Sequence, residues 1–169
     1  TNLQRKQVAI YRATDSQTYN NYILSLTEQT SGALWVGTLA GLYKFDGVSA
    51  KPIPELAKDV GYDTLQIDNF LWVAARNNLY QIDLLSHKVI QHFDETNSPI
   101  GAAYNYKLAT KDGVLWVGSS AGLISFDITE RKWHVWGPKH TLGRKDIYTL
   151  YISENTILIG TGSGLSTFD

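Results

Sequence analysis

The sequence predicts an all-β fold, a β-propeller segment of about four four-stranded antiparallel blades. The first observation is a motif that occurs four times, as LWVGTLAGLYKFD at 34–46, LWVAARNNLYQID at 71–83, LWVGSSAGLISFD at 115–127 and ILIGTGSGLSTFD at 157–169. The second is the spacing of its anchor residues Trp35, Trp72, Trp116 and Leu158, at steps of 37, 44 and 42 residues. One propeller blade takes about 40–45 residues. The third is that no segment has the pattern of a long helix.

Each repeat unit is predicted to form one blade. The unit boundaries are expected near residues 21–60, 61–103, 104–146 and 147–169. Within the first unit, alternating apolar residues and turn residues predict strands at 22–27, 33–38, 42–46 and 51–53. A further short strand is predicted at 8–12, before the first unit. We expect either this strand or a partner chain to complete the last blade.

The turns between these strands carry the residues that hairpins need. Between the first and second strands lie Asp68 and Asn69, Asp112 and Gly113, and Glu154 and Asn155. Such pairs favour two-residue turns whose twist matches a hairpin. At the second turn, Gly41, Gly122 and Gly164 are matched by Asn78. Asn78 is therefore predicted to adopt a left-handed backbone conformation. Outer strands are expected at 87–93 and 132–136.

The composition narrows the function classes. The chain has 169 residues, 43% of them hydrophobic, and a net charge of −1, so no nucleic-acid partner is expected. It contains no cysteine, which excludes disulfides and thiolate metal sites. No apolar run is long enough to span a membrane. Because the chain has no methionine, even at position 1, it is expected to be a segment of a longer protein.

The repeated phrase, a turn followed by LWVGT or a variant, AGL, and an aromatic residue plus Asp, resembles the two-component regulator propeller repeat. Unit two departs from it most, at Ala74 and Asn78, and unit four lacks the tryptophan. The resemblance implies the periplasmic sensing portion of a hybrid histidine kinase or membrane-bound diguanylate cyclase. The parent protein would be anchored in the inner membrane, and this segment would bind or sense without catalysing a reaction. The family also implies a seven-bladed or double propeller.

Four units do not fill a seven-bladed ring. Two arrangements remain open: a small four-bladed ring, or an open arc whose exposed blade faces associate with a partner. An open arc would leave apolar surface and unpaired strand edges exposed. We expect association, most simply as a homodimer.

One face of the predicted propeller is the candidate ligand site. The second turn of each unit and the link into its first strand should meet there. Tyr62, Tyr106 and Tyr148 each lie ten residues before the anchor of their unit, and Arg76 and Arg144 fall nearby. Tyrosines beside arginine suit a small molecule, an oligosaccharide or a peptide. The alternative is that these tyrosines only pack between blades at the start of each innermost strand.

Other motifs point away from catalysis. The histidines His87, His92, His134 and His140 have no metal-like spacing with acidic residues, and no cofactor is expected. Trp35, Trp72 and Trp116 are predicted to be core residues, since leucine replaces them in unit four. A propeller enzyme is disfavoured because titratable groups do not converge. The competing function is a protein–protein interaction scaffold that binds no small molecule.

Overall fold

The structure, a computed structural model, describes residues 22–57, 59–102, 104–136, 146–154 and 156–168. These residues form four antiparallel sheets of consecutive strands, which confirms the predicted propeller of four blades. The strands are β1 Ile23–Glu28, β2 Leu34–Thr38, β3 Gly41–Phe45, β4 Ala50–Pro52, β5 Asp63–Ile67, β6 Phe70–Ala74, β7 Leu79–Asp83, β8 Val89–Phe93, β9 Asn105–Lys111, β10 Val114–Ser119, β11 Gly122–Asp127, β12 Lys132–Trp136, β13 Ile147–Ile152, β14 Ile157–Thr161 and β15 Gly164–Phe168.

The first three blades have four strands each, and the described part of the fourth has three. Residues 8–12, which we expected to complete the fourth blade, lie outside the described residues. Short 3₁₀ helices at Pro54–Leu56 and Pro99–Ala102 connect neighbouring blades.

The first turn of each unit behaves largely as its residues predict. Asp68 and Asp112 take φ values of 51° and 50°, and Gly113 takes 77°. The prediction for Asn78 is wrong, because it does not take a positive φ. Its side chain donates to Asp59 Oδ2 at 2.8 Å and bonds His92 Nε2 at 2.7 Å. Asparagine is therefore useful here for its amide group, which connects the turn to two neighbouring segments.

The aspartate that closes the repeated motif organises the turn into the outer strand. Asp46 Oδ1 accepts hydrogen bonds from the N–H groups of Val48 and Ser49. Asp83 Oδ1 accepts one from the N–H of Ser86, and Asp127 Oδ1 accepts from two N–H groups in the same way. The recurrence of Asp in the motif thus has a local cause, since its carboxylate satisfies turn donors that no strand partner reaches.

The hydrophobic core is divided among the junctions between blades. Three clusters of buried residues lie between blades one and two, two and three, and three and four. Trp35 and Trp72 are 0% and 1% exposed, and Trp116 packs in the third junction against Trp136 and Phe168. Trp35 and Trp72 are core residues, as predicted, whereas Trp116 is half-buried and packs against the third cluster. Each blade is therefore stabilised mainly by its neighbours.

Candidate functional site

The innermost strands begin on one face of the propeller, beside the second turn of each unit. Backbone hydrogen bonds fix this proximity in three blades: Leu39 N to Tyr22 O at 3.2 Å, Tyr62 N to Ala74 O at 2.9 Å, and Ser120 N to Tyr104 O at 2.9 Å. Side chains at the strand starts and at the turns consequently project from the same face.

Four tyrosines form a continuous aromatic surface on this face. We call Tyr62, Tyr104, Tyr106 and Tyr148 the tyrosine surface. The ring centroid of Tyr106 lies 5.4 Å from that of Tyr62, 5.4 Å from that of Tyr148 and 6.2 Å from that of Tyr104. The rings meet edge to face or tilted, the geometry that aromatic quadrupoles favour. The ten-residue offset therefore does place its three tyrosines side by side, across blades two to four.

The tyrosine surface is accessible. Tyr104 and Tyr148 are 44% and 54% exposed, while Tyr62 and Tyr106 are half-buried beneath them. The half-buried ring of Tyr106 contacts both exposed rings and holds them in position, so that they present fixed apolar faces and edges. A ligand that lies on this surface would meet aromatic carbon and hydroxyl groups together.

Charged groups lie at both ends of the tyrosine surface. Arg76 Cζ is 5.9 Å from the ring centroid of Tyr104, a cation–π distance. The hydroxyl of Tyr148 donates to Asp146 Oδ2 at 3.2 Å. This hydrogen bond raises the pKa of Tyr148, and burial, followed by the Asp146 charge, raises the pKa of Tyr106. Both hydroxyls therefore stay protonated at neutral pH; Tyr106 can donate a hydrogen bond, whereas the proton of Tyr148 is already donated to Asp146 and its oxygen can accept.

The structure brings four of the five predicted site residues to this face: Tyr62, Arg76, Tyr106 and Tyr148. The fifth, Arg144, lies outside the described residues. Tyr104 and Asp146 also lie on this face, although neither is among the five predicted site residues. Tyr104 has a recognisable signal, because side chains two residues apart on an extended segment point to the same side.

Asp63 lies directly below the tyrosine surface and ties blade two to blade three. It is 6% exposed. Its carboxylate accepts a hydrogen bond from Leu108 N–H at 2.8 Å and pairs with Lys107 Nζ at 3.1 Å. Because Asp63 follows Tyr62 and its two partners follow Tyr106, this contact fixes the relative position of the two tyrosines.

Asp63 should give the free energy of unfolding a measurable pH dependence. Burial raises the pKa of Asp63, against the opposing effects of the Leu108 N–H and of Lys107. A raised pKa means that the folded protein binds a proton more readily than the unfolded chain, so this contribution is largest in acid and is lost as pH rises. We expect wild type to gain stability relative to Asp63→Asn as the pH falls from 7 towards 4, as measured by urea unfolding.

Asp46→Asn provides a control of opposite sign. Hydrogen bonds from the backbone of Ser49 and Val48 lower the pKa of Asp46, so its contribution is present at neutral pH and lost in acid. Wild type should lose stability relative to Asp46→Asn once the pH falls below about 4, the ordinary pKa of an aspartate, because the folded pKa lies lower still. If the stability of wild type relative to each variant changed in the same direction as the pH falls, the assignment of Asp63 as a buried, destabilised charge would be wrong.

The opposite face of the propeller has a different character. A broad, open depression of about 550 Å³ lies between the first turns of blades one and two, lined by Glu28, Gln29, Thr30, Gln66 and Asp68. Its lining is polar and acidic, and it contains none of the four predicted site residues that the structure describes. A ligand bound there would be held by hydrogen bonds and by the charges of Glu28 and Asp68, without an aromatic anchor.

The described histidines take part in local contacts. His87 Nε2 lies 2.6 Å from Lys44 Nζ, and His92 stacks on Tyr80 with the ring centroids 4.6 Å apart. Within the described residues, no three histidine or carboxylate side chains converge as metal ligands. His140 lies outside them. The same part of the chain contains no helix long and apolar enough to cross a membrane.

Comparison with known proteins supports the fold. No protein-family model and no curated protein matches the chain. Two solved structures of the extracellular domain of BT4673 from B. thetaiotaomicron, described as a one-component or hybrid two-component system, match with a TM-score of 0.75 and 22% identity. The alignment covers 88% of this chain and 20% of theirs, so the chain spans about a fifth of their length.

Two further structures align with about half of their own length. The WD40 β-propeller domain of Doa1 matches with a TM-score of 0.71 and 10% identity, over 89% of this chain and 51% of that one. YCF48 bound to D1 peptide matches with a TM-score of 0.65 and 14% identity, over 86% and 50%. At these identities the likenesses establish one conclusion: the chain has the β-propeller fold.

Proposed function

We propose that this chain is a ligand-binding, non-catalytic sensing segment of a transmembrane signal-transduction receptor, on the periplasmic side of an inner membrane. The observation that carries the proposal is the tyrosine surface, in which four contacting rings come from blades two, three and four. The likeness in fold between this chain and an extracellular domain of a two-component system agrees with such a role. The tyrosine surface is the proposed contact site.

The chemistry of the surface favours a ligand with both apolar faces and hydroxyl or carbonyl groups. The exposed rings of Tyr104 and Tyr148 offer stacking area, and the phenol hydroxyls offer hydrogen-bonding groups, that of Tyr148 as an acceptor because it donates to Asp146. Arg76 can pair with a carboxylate or accept stacking from a planar group. An oligosaccharide and an extended peptide both meet these requirements. A small aliphatic molecule would leave the hydroxyls unused.

A protein–protein interaction scaffold is the second candidate. It is favoured by the rings packing against each other, which makes a continuous surface rather than an enclosed pocket. YCF48, which has a similar fold, is known in a complex with a peptide. In that function the tyrosines would bind the side chains of a protein partner, as tyrosines commonly do at interfaces.

Binding measurements separate these functions. Immobilised oligosaccharide and peptide libraries are probed with the chain, and each binder is titrated by calorimetry. We expect Tyr148→Ala to weaken binding by about fivefold or more, because truncating an aromatic anchor typically costs over about 1 kcal/mol and 1.4 kcal/mol is a factor of ten. Tyr148→Phe, which keeps the ring, should retain most of the affinity for a stacking ligand.

Leu85→Ala is the matched control, since Leu85 is 84% exposed in the β7–β8 turn, away from the tyrosine surface. Its affinity should equal that of wild type. Binding that survives Tyr148→Ala and Tyr106→Ala unchanged would exclude the tyrosine surface as the site. If the chain bound folded proteins but no member of either library, the result would favour the function as a protein–protein interaction scaffold.

A further inference from the structure

In units one, three and four, a hydroxyl side chain closes the second turn. The turn begins at Thr38, Ser119 or Thr161, whose hydroxyl accepts a hydrogen bond from the N–H two residues later at 3.0, 3.1 and 3.2 Å. The same hydroxyl donates to the carbonyl oxygen of the glycine that ends the turn, at 2.9, 2.8 and 3.1 Å. These glycines take φ values of 134°, 110° and 125°. Each of the three turns is therefore closed by its own residues.

The second turn of unit two is built differently. Ala75 stands where the other units have the hydroxyl residue, and Asn78 stands where they have the glycine. A backbone hydrogen bond from Ala75 N–H to Asn78 O, at 2.9 Å, spans the turn. Arg76, the arginine of the tyrosine surface, lies between these two residues. The turn that carries it thus lacks both features that close the other turns.

The amide of Asn78 holds this turn from outside. Its Nδ2 donates to Asp59 Oδ2 at 2.8 Å, because a carboxylate can only accept. Its Oδ1 therefore faces His92 Nε2 at 2.7 Å, and that nitrogen must carry a hydrogen. Asp59 belongs to the link between blades one and two, and His92 belongs to the outer strand β8. The turn is consequently attached to segments on two sides.

Tyr80 fixes both partners of Asn78. It is 8% exposed, and its hydroxyl donates to Asp59 Oδ2 at 2.9 Å. Its ring stacks on His92, with an angle of 6° between the ring planes and 4.6 Å between the centroids. The groups that hold the Asn78 amide are therefore themselves anchored on the core of blade two.

The guanidinium of Arg76 is available to a ligand. Among the residues that the structure describes, it forms no ion pair, and it lies beside the ring of Tyr104 at a cation–π distance. A guanidinium matches the geometry of a carboxylate and can bind it through two hydrogen bonds. Holding the backbone of Arg76 in advance lowers the entropy lost when such a ligand binds.

We propose that Asp59, Asn78 and His92 are positioning residues of the ligand site. They hold the turn that carries Arg76, so that its guanidinium stays beside Tyr104. This end of the tyrosine surface then selects ligands that carry a carboxylate group. The inference rests on the proposed function, because it concerns the same surface. It gives the departure of unit two from the repeat a functional reason.

Rebuilding the turn of unit one in unit two tests the positioning role. Ala75→Thr combined with Asn78→Gly supplies the hydroxyl and the glycine but removes the amide that reaches Asp59 and His92. Nuclear Overhauser effects between the Arg76 side chain and the Tyr104 ring measure the contact, without a ligand. We expect them in wild type and expect the double variant to lose them while the amide spectrum of blades three and four is kept. Asn77→Ala, in the same turn, is the control and should keep them.

Two substitutions of Asp59 test the attachment without altering the turn. Asp59→Asn keeps an oxygen that can accept from Asn78 and Tyr80, so the contact between Arg76 and Tyr104 should remain. Asp59→Ala removes that oxygen, so the contact should weaken. A merely structural role would change the stability of the variants and leave this contact as it is. If Asp59→Ala kept the contact of wild type, Asp59 would not be a positioning residue.

The selectivity is tested with benzoate as the probe and benzyl alcohol as its uncharged match, each titrated into the labelled chain and followed by nuclear magnetic resonance. Wild type should bind benzoate about two- to fivefold more tightly, the range expected for one exposed ion pair. Arg76→Gln and the double variant should both lose this preference. Their affinity for benzyl alcohol should equal that of wild type.

The outcomes separate this inference from the proposed function. Equal affinities for the two probes, with shifts on the tyrosine surface, would overturn the inference and leave the proposed function intact. The absence of any shift with benzoate would also overturn the selectivity. Shifts of both probes away from the tyrosine surface would contradict the proposed function as well. A double variant that kept both the Arg76 contact and the preference for benzoate would exclude the positioning role.

Discussion

Trp72→Ala should lower the free energy of unfolding by about 3–5 kcal/mol, the usual cost of removing a buried aromatic side chain. Trp72 is 1% exposed in the junction between blades two and three. It stacks on Phe93 with centroids 6.2 Å apart and contacts Phe126 at 5.9 Å. The substitution removes ring contacts on both blades and leaves a cavity that β-sheets on either side cannot easily close. Urea unfolding followed by circular dichroism measures the loss.

Leu85→Ala is the control for this experiment. Leu85 is 84% exposed, so its truncation should change the free energy of unfolding by no more than about 0.5 kcal/mol. A cost below about 1 kcal/mol for Trp72→Ala would contradict the conclusion that the junctions between blades hold the core.

Gly37→Ala should destabilise the chain by about 1–3 kcal/mol or more, because it overpacks a closed contact between blades one and two. A Cβ on Gly37 would lie 2.3 Å from Ser25 Oγ and 2.5 Å from the carbonyl oxygen of Gly61. Moving either atom away would cost free energy. Ser25 is 8% exposed, and Gly61 is held by a 2.9 Å hydrogen bond from its N–H to Thr38 O.

Gly162→Ala is the matched control for Gly37→Ala. A Cβ on Gly162 would meet Tyr148 Cε2 at 3.6 Å, an ordinary van der Waals distance. Alanine there should be neutral or slightly stabilising, since it restricts the unfolded chain. Equal losses in the two variants would mean that the glycines matter for backbone freedom and that the close approach of blades one and two is not the cause.

The sequence was sufficient to predict the blades and the core between them. A repeat that returns apolar residues to the same strand positions must give equivalent sheets, and junctions between equivalent sheets bury equivalent residues. Trp35 and Trp72, the same position in units one and two, could therefore be expected in the core, and they are 0% and 1% exposed. The tyrosine row followed from the same logic, because a fixed offset from the anchor is a fixed place on the blade.

Contacts that break the repeat could not be predicted in this way. Asp63 and Lys107 are equivalent positions of neighbouring units but carry opposite charges, and no pattern in the sequence marks them as partners. Asn78 was expected to supply backbone freedom, as glycine does in the other units. Its amide instead bonds Asp59 and His92, groups that only the folded chain brings near. Such exceptions depend on three-dimensional contacts between units.

The exposure of the outer faces of blades one and four could not be predicted, because the repeat does not contain the information that decides it. The sequence allowed a closed ring of four blades or an open arc. The difference lies in how much each blade rotates relative to the last, which the side chains at all junctions set together. Leu26 in blade one and Leu165 in blade four are as apolar as their buried counterparts Leu108 and Leu123, so only the structure shows that they are 62% and 72% exposed.

The most direct test of the central claim, that the tyrosine surface is the ligand site, is a nuclear magnetic resonance titration of the isotopically labelled chain with an oligosaccharide or peptide that binds it. The account predicts that the largest shifts fall on Tyr62, Tyr104, Tyr106 and Tyr148, with Arg76 beside them. Shifts centred instead on Glu28, Gln66 and Asp68, around the open depression of the opposite face, would contradict it.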